Sequence, residues 1–326
     1  MAVASPSSIL YLTEKDVQQV LNWNDLITTL EENFSDVSSV PQVTELTTLQ
    51  PPRIVMHIPH RSGIFITMPG LSERKKVLAC KLVTVFFNNS VRFNIPNILA
   101  NIALFNPDTG ELSAILQATT ITEWRTAAAS VVATKYLKPG DKQVLAVFGA
   151  GRQGRIHIIA FKHYFKIKKI NLWNRSMDKA QKLAEELKKE FNINVQVFSN
   201  ARNCAGDADV IVTATATSEP ILKYEYLKPT AMINAIGVGR THHSELDKNI
   251  YEQCAIYVDS MESANKELKG LIEEGYNIAG EIGQVINGKK VPITSGIIVS
   301  HTLGMATADA VAAGLVLEKY LKKQKT

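Results

Sequence analysis

Apolar positions recur along this chain in two textures. Between Arg53 and Gln117 short apolar runs alternate with local turn signals. The runs are Ile54 to Ile58, Ile64 to Met68, Leu78 to Phe87, Ile98 to Phe105 and Glu111 to Gln117. The breaks are His60-Arg61-Ser62-Gly63, Pro69-Gly70, Asn88-Asn89 and Asn106-Pro107-Asp108-Thr109-Gly110. Strands joined by local turns predict a largely antiparallel sheet. Two helices are expected ahead of it, Glu14 to Leu21 capped by Thr13, and Asn24 to Phe34. Val37 to Leu49 is polar and turn-prone.

From Thr122 the texture changes. Thr122 is expected to cap a small-residue helix, Glu123 to Tyr136, closed by Lys138-Pro139-Gly140. Strand and helix patterns then alternate. The strands are Val144 to Phe148, Ile170 to Trp173, Val195 to Phe198, Val210 to Ala214, Met232 to Ile236 and Ile256 to Val258. The helix Met177 to Phe191 is dense in Lys and Glu outside and in Ala and Leu inside. This alternation predicts an α/β fold with a doubly wound parallel sheet. Leu303 to Leu321 reads as a final helix rich in Ala and Gly.

The strand Val144 to Phe148 runs into Gly149-Ala150-Gly151-Arg152-Gln153-Gly154, and the apolar segment Ile156 to Phe161 follows. Strand, glycine turn and helix start form a Rossmann signature. Gly149 permits the turn, Gly151 admits a pyrophosphate, and Gly154 lets helix pack on strand. The helix start offers free N–H groups and a positive dipole end. Taken alone, the glycines are compatible with an ordinary turn. The end of the next strand adds to them. An NAD site usually has a carboxylate there, about 20 residues after the glycines. This chain has Asn174-Arg175-Ser176. A guanidinium matches a 2′-phosphate, so NADPH is the expected cofactor, with NADH weaker. The plain alternative for Arg175 is a solvated surface residue.

Composition adds limits. A length of 326 residues suits two domains, and 45% hydrophobic with 21% charged residues fits an ordinary globular core. The net charge of +5 is modest, and Lys188, Lys189, Lys322, Lys323 and Lys325 have no interleaved aromatics, which argues against nucleic acid. Cys80, Cys204 and Cys254 have neither metal nor disulfide spacing. Met1 to Ser8 does not read as a signal peptide and no apolar run reaches membrane-spanning length, so the expected compartment is cytoplasmic. The sequons at Asn33, Asn88 and Asn174 are then expected to be incidental.

Several phrases in one consistent order resemble the ornithine cyclodeaminase/mu-crystallin family. They are Lys81-Leu82-Val83-Thr84, Leu104 to Gly110, Thr122-Glu123-Trp124-Arg125-Thr126-Ala127-Ala128-Ala129-Ser130, Gly149 to Gln153, Trp173-Asn174-Arg175, Ile233 to Gly237, Val258-Asp259-Ser260 and Leu303-Gly304-Met305-Ala306. The wording is nearest the mu-crystallin branch. The resemblance implies a homodimer with a substrate and dimerisation domain of α+β type over 1–122 and 303–326, and an NADP(H)-binding Rossmann domain over 123–302. It implies that Arg53, Lys81 and Arg125 surround a substrate carboxylate, with Lys81 and Arg125 catalytic. Charge logic points the same way, because cations at the edges of apolar runs need an anion. The plain alternative is that each pairs with a structural carboxylate. Thr126, Gln153, Thr213, Thr215 and Gly237 are the further expected cofactor contacts.

Departures from the family pattern direct the reaction. The cyclodeaminases have an aspartate where this chain has Gly239, and a glutamate where it has Ile66. Amine oxidation needs a base for the ammonium proton, and both carboxylates are missing. Reduction asks for less: a small cyclic imino acid such as piperideine-2-carboxylate or pyrroline-2-carboxylate takes hydride from NADPH. Lys81 is the candidate for proton delivery or imine stabilisation, and His242 is a second proton-donor candidate. His242-His243 lacks a ligand set, so no metal is expected. The mu-crystallin branch also implies a rival reading, NADPH-regulated binding of an iodothyronine or a lens structural role. Phe65, Phe86 and Phe87 would then line the pocket, unless they are core. An alanine-dehydrogenase-like activity is a third reading. Asp259, Ser260 and Glu281 fit either the cofactor side or capping.

Overall fold

The computed structural model describes residues 9–39, 48–237 and 243–325. The chain divides into two compact units, Met1–Arg125 with Met305–Thr326, and Thr126–Gly304.

In the first unit a helix at Glu14–Val20 starts with a capping box between Thr13 and Asp16, and a second spans Trp23–Val37. The strands are β1 (Leu10–Leu12), β2 (Thr48–Leu49), β3 (Ile54–Ile58), β4 (Gly63–Ser72), β5 (Val77–Phe86), β6 (Ile98–Phe105) and β7 (Leu112–Gln117). Among the described residues they form one sheet in the order β1-β7-β6-β5-β4-β2, with β3 also on β4. Only the β1–β7 pairing is parallel. β4 runs straight through Pro69-Gly70, where a turn was expected. The β3 pairing ends at Thr67 and the β2 pairing begins at Leu71, so Pro69 lies on an edge-like stretch that tolerates its missing N–H. At Gly70 the last helix, Ala306–Gln324, touches the sheet; a Cβ there would stand 2.9 Å from the Ala306 carbonyl. That helix packs along β4 and β5 and beside the helix Trp23–Val37.

In the second unit β8 (Val144–Phe148), β9 (Lys169–Trp173), β10 (Gln196–Phe198), β11 (Val210–Thr213), β12 (Met232–Ala235), β13 (Cys254–Val258), β14 (Ile278–Glu281) and β15 (Ile297–His301) form a parallel sheet. Its order is β10-β9-β8-β11-β12-β15-β13-β14, the Rossmann arrangement about β8. β14 and β15 were not expected. β15 is short and ends in Ser300-His301, which breaks the apolar pattern, yet it inserts between β12 and β13. The core here includes Phe148, Ile211, Ile233, Ile256 and Val299.

The helix expected from Glu123 begins at Thr119 and ends at Leu137. Thr122 is inside it and is therefore not its N-cap. The N-terminal N–H groups of Thr119 and Thr120 are instead met by the Glu14 carboxylate, at 2.7 and 2.9 Å. Among the described residues, no helix is long and apolar enough to cross a membrane.

Candidate cofactor cleft and carboxylate site

In the second unit a cleft of about 370 Å³ opens at the carboxyl ends of β8, β9 and β11. Gly149, Gly151, Asn174, Arg175, Ser176 and Thr215 all line it. Gly149 has a φ of +119°, and a Cβ there would stand 2.6 Å from the Ala214 carbonyl oxygen. A Cβ on Gly154 would come within 1.9 Å of the Gly149 carbonyl oxygen, so helix and strand touch through backbone. At Gly151 a Cβ would meet nothing within 4 Å. Gly151 caps the helix Arg152–Tyr164 without a side-chain hydrogen bond. The helix start is therefore open above Gly151 and has no side-chain cap from it, which fits a pyrophosphate. Asn174 fixes the rim: its Oδ1 accepts from Ala150 N at 3.1 Å, and its Nδ2 donates to the Ser176 carbonyl at 2.9 Å.

Arg175 is exposed on that rim, as is Lys179 from the first turn of the helix Met177–Phe191. Neither has an ion-pair partner among the described residues, and no carboxylate lines the cleft. Lys179 escaped sequence reasoning; its signal was a lysine in the first turn after the Arg175 strand end. Glu245 was missed as well. It is 1% exposed, and its Oε1 accepts from Thr215 N and Oγ1 at 2.7 and 2.6 Å, while Oε2 accepts from Gly237 N at 3.0 Å. Burial pushes its carboxyl upward against those hydrogen bonds. Gly237 and Thr213 do not line the cleft; Gly237 is tied to it through Glu245 and donates to the Thr213 carbonyl. Gln153, Gly154 and Thr126 are also off the lining. The Gln153 carbonyl accepts from His157, a buried imidazole lowered to about 4 and hence neutral. Asp259 and Ser260 are structural: Asp259 accepts from Leu303 N and Gly304 N, and Ser260 caps the helix Met261–Glu267. Glu281 caps Ile282–Ile286. Gly239 and His242 lie outside the described residues.

The first unit holds the cations. Register sets Met68 opposite Lys81 and Lys81 opposite Ile102. Ile54 faces Thr67, so Arg53, one residue earlier, is level with Met68 in the row of Lys81. Lys81 is buried on β5, and its Nζ pairs with Asp309 Oδ2 at 2.6 Å. Arg125, buried on the helix Thr119–Leu137, places its Nε 3.0 Å from Asp309 Oδ1. The Lys81 ammonium falls from about 10.5 to about 8. Burial is the main cause; Asp309 opposes it, and the charges of Arg125 and Arg53 add to it. Two buried cations thus share one carboxylate, and the structural-partner alternative is realised only in part.

Asp309 was not foreseen. Its signal, a carboxylate in the small apolar first half of a helix, matches the one that singled out Arg125. The pleat separates the expected aromatics from this site. Phe65 pairs with Thr84 and Phe86 with Gly63, out of phase with Lys81, so both face the other side of the sheet. Phe87 is exposed beyond the end of β5.

The model of the ornithine cyclodeaminase/mu-crystallin family matches residues 8–324. A ketimine reductase mu-crystallin from Macropus fuliginosus is 37% identical over 311 residues, 95% of this chain and 97% of its own. Among solved structures, the chain is similar to Thermococcus litoralis Δ(1)-pyrroline-2-carboxylate reductase in complex with NADH and L-proline. The TM-score is 0.88 at 28% identity, covering 97% of this chain and 98% of that one. An archaeal alanine dehydrogenase dimer with bound NAD gives 0.87 at 26% identity, with 97% of both chains covered.

Proposed function

This chain belongs to the ornithine cyclodeaminase/mu-crystallin family, and we propose that it is an NAD(P)H-dependent reductase of C=N bonds acting on cyclic α-imino carboxylates. Piperideine-2-carboxylate and pyrroline-2-carboxylate are the proposed substrates, and pipecolate and proline the products. The observation that carries this reading is the buried Lys81–Asp309–Arg125 cluster, which holds two cations against one carboxylate. An anionic ligand offsets the remaining charge. The similarity to a ketimine reductase and a pyrroline-2-carboxylate reductase supports the imine.

In this reading Arg125 grips the substrate carboxylate and Arg53 adds attraction from the same row. Lys81 stabilises the imine nitrogen or delivers its proton; an ammonium near 8 still carries that proton at neutral pH. When bound, the reduced nicotinamide supplies hydride to the C=N carbon, and the π electrons leave on nitrogen as the amine forms. The test is NADPH oxidation with each ketimine, beside ornithine with NADP+ and alanine with NAD+. Turnover is expected with the ketimines alone. No turnover with either ketimine defeats the proposal.

NADPH is the proposed preferred donor. Arg175 and Lys179, both without ion-pair partners among the described residues, suit a 2′-phosphate. A hydrogen bond to a charged group contributes about 1.5–3 kcal/mol. Arg175→Ala should therefore raise the NADPH dissociation constant roughly 10- to 100-fold and the NADH constant little; Lys179→Ala should do the same more weakly. Fluorescence titration with both nucleotides decides it, and equal losses for the two reject the preference.

A homodimer is also proposed. On the sheet face away from Lys81, Ile54 is 67% and Met56 52% exposed, beside half-buried Phe65 and Leu82. An apolar face of this kind suits a second copy. A sedimenting mass of one chain would reject it.

A further inference from the structure

Asp309 lies in the first turn of the helix Ala306–Gln324, in a run otherwise made mostly of alanine, and is 1% exposed. A buried carboxylate among apolar neighbours is costly unless its charge is met. Both of its oxygens are met, by cations from two different elements. Lys81 comes from β5 and Arg125 from the helix Thr119–Leu137. One side chain therefore ties three elements together.

What Asp309 leaves free is as informative as what it takes. It engages the side of the guanidinium, Nε, and leaves Nη1 and Nη2 without a partner among the described residues. That fork is the part of an arginine that holds a carboxylate through two parallel hydrogen bonds. It also takes one of the three protons of Lys81. A single Lys–Asp or Arg–Asp pair would be neutral and complete. This cluster keeps one positive charge, with donors to match.

We infer that Asp309 is the positioning residue of the site: it orients Lys81 and Arg125 through one carboxylate, so that the Arg125 fork and one positive charge are left for the carboxylate of the substrate. The identity of that substrate rests on the imino-acid reading above; the geometry does not. Asp309 acts through the two cations and not on the reacting atoms.

Among the described residues, three charged groups face Lys81: Asp309 from the last helix, Arg125 from the helix Thr119–Leu137, and Arg53 from the residue before β3. Asp309 holds the proton on Lys81, and the two arginines push it off. Asp309→Asn removes the charge with little change of size. Lys81 is followed directly by NMR in lysine-labelled full-length protein without substrate, its signal assigned as the one lost in Lys81→Met.

Wild-type Lys81 is expected to titrate at about 8. In Asp309→Asn its midpoint should fall by about one pH unit or more, because the favourable charge is gone. The alkaline limb of kcat/KM should move down with it. At neutral pH kcat/KM for the ketimine should drop about 100-fold, as expected when one partner of a buried charge pair is removed. NADPH affinity should stay within about twofold. An Asn variant with Lys81 titration and kcat/KM both unmoved overturns the inference.

Asp309→Glu keeps the charge and covers the case in which the Asn variant does not fold. It should leave Lys81 protonated at neutral pH yet displace the fork by one methylene, raising KM for the imino acid about tenfold. An unchanged KM also overturns the inference. If the wild-type protein reduces no cyclic ketimine, the reductase reading fails, while the Lys81 titration still decides the role of Asp309.

Discussion

Arg125→Met is expected to lower kcat/KM for piperideine-2-carboxylate by roughly 10²- to 10³-fold or more. Removing one partner of a buried charged pair costs about 3–5 kcal/mol, because the other partner is left unpaired. Here the unpaired group is the substrate carboxylate. Most of the loss should appear in KM, since the carboxylate carries the same charge before and during hydride transfer. Stability should behave oppositely. The variant leaves Lys81 and Asp309 as a neutral buried pair, so the apoprotein should melt at or above the wild-type temperature. Arg125→Lys should not rescue activity, because one ammonium cannot hold Asp309 and a bidentate carboxylate together. Steady-state kinetics and a thermal melt check both halves. Retention of kcat/KM within about fivefold removes Arg125 from the site.

Gly154→Ala is the second large effect. Alanine at a helical position is ordinarily favourable by up to about 1 kcal/mol over glycine. Here its Cβ would lie 1.9 Å from the Gly149 carbonyl oxygen and 3.0 Å from the carbon. Gly149 cannot yield easily, because its N–H donates to the Trp173 carbonyl at 2.8 Å and its own Cβ position is closed by Ala214. Overpacking against such a backbone costs about 1–3 kcal/mol or more, so the collision outweighs the propensity. The helix start should be displaced and the NADPH dissociation constant should rise at least about 100-fold, with a lower melting temperature. Gly151→Ala is the contrast. Its Cβ would meet nothing within 4 Å, so apoprotein stability should hold while cofactor affinity falls. A Gly154→Ala protein that binds NADPH like wild type refutes this turn as the cofactor cradle.

Local pattern carried far in this chain. The helix Met177–Phe191 begins and ends where its Lys/Glu and Ala/Leu periodicity does, because its amphipathic stripe is complete within itself. The strand β8 and its glycine turn were equally legible. Other features depend on partners remote in sequence. The turn signal at Pro69-Gly70 is overridden by a gap between two neighbouring strands and by a helix arriving from residue 306. The expected Thr122 cap is replaced by a carboxylate from Glu14. β15 owes its central place in the sheet to neighbours on both sides, β12 and β13, and to little in its own five residues.

By itself the sequence determined that the chain folds as a Rossmann sheet with a second α+β unit, that a tight glycine turn follows β8 at Gly149 to Gly154, the proposed dinucleotide cradle, and that Lys81 and Arg125 require an anion. The first follows from the order of apolar patterns along the chain, the second from the conformational freedom of glycine and the third from the cost of burying a charge, all local properties. Tertiary structure alone decided which anion they meet inside the protein and how much charge is left over. Asp309 reaches Lys81 and Arg125 only because the last helix settles on β4 and β5 through Gly70 and Gly314. Backbone meets backbone at Gly70 and the Val77 side chain meets the helix at Gly314; this close approach delivers one carboxylate to two cations, a balance that no stretch of the sequence contains.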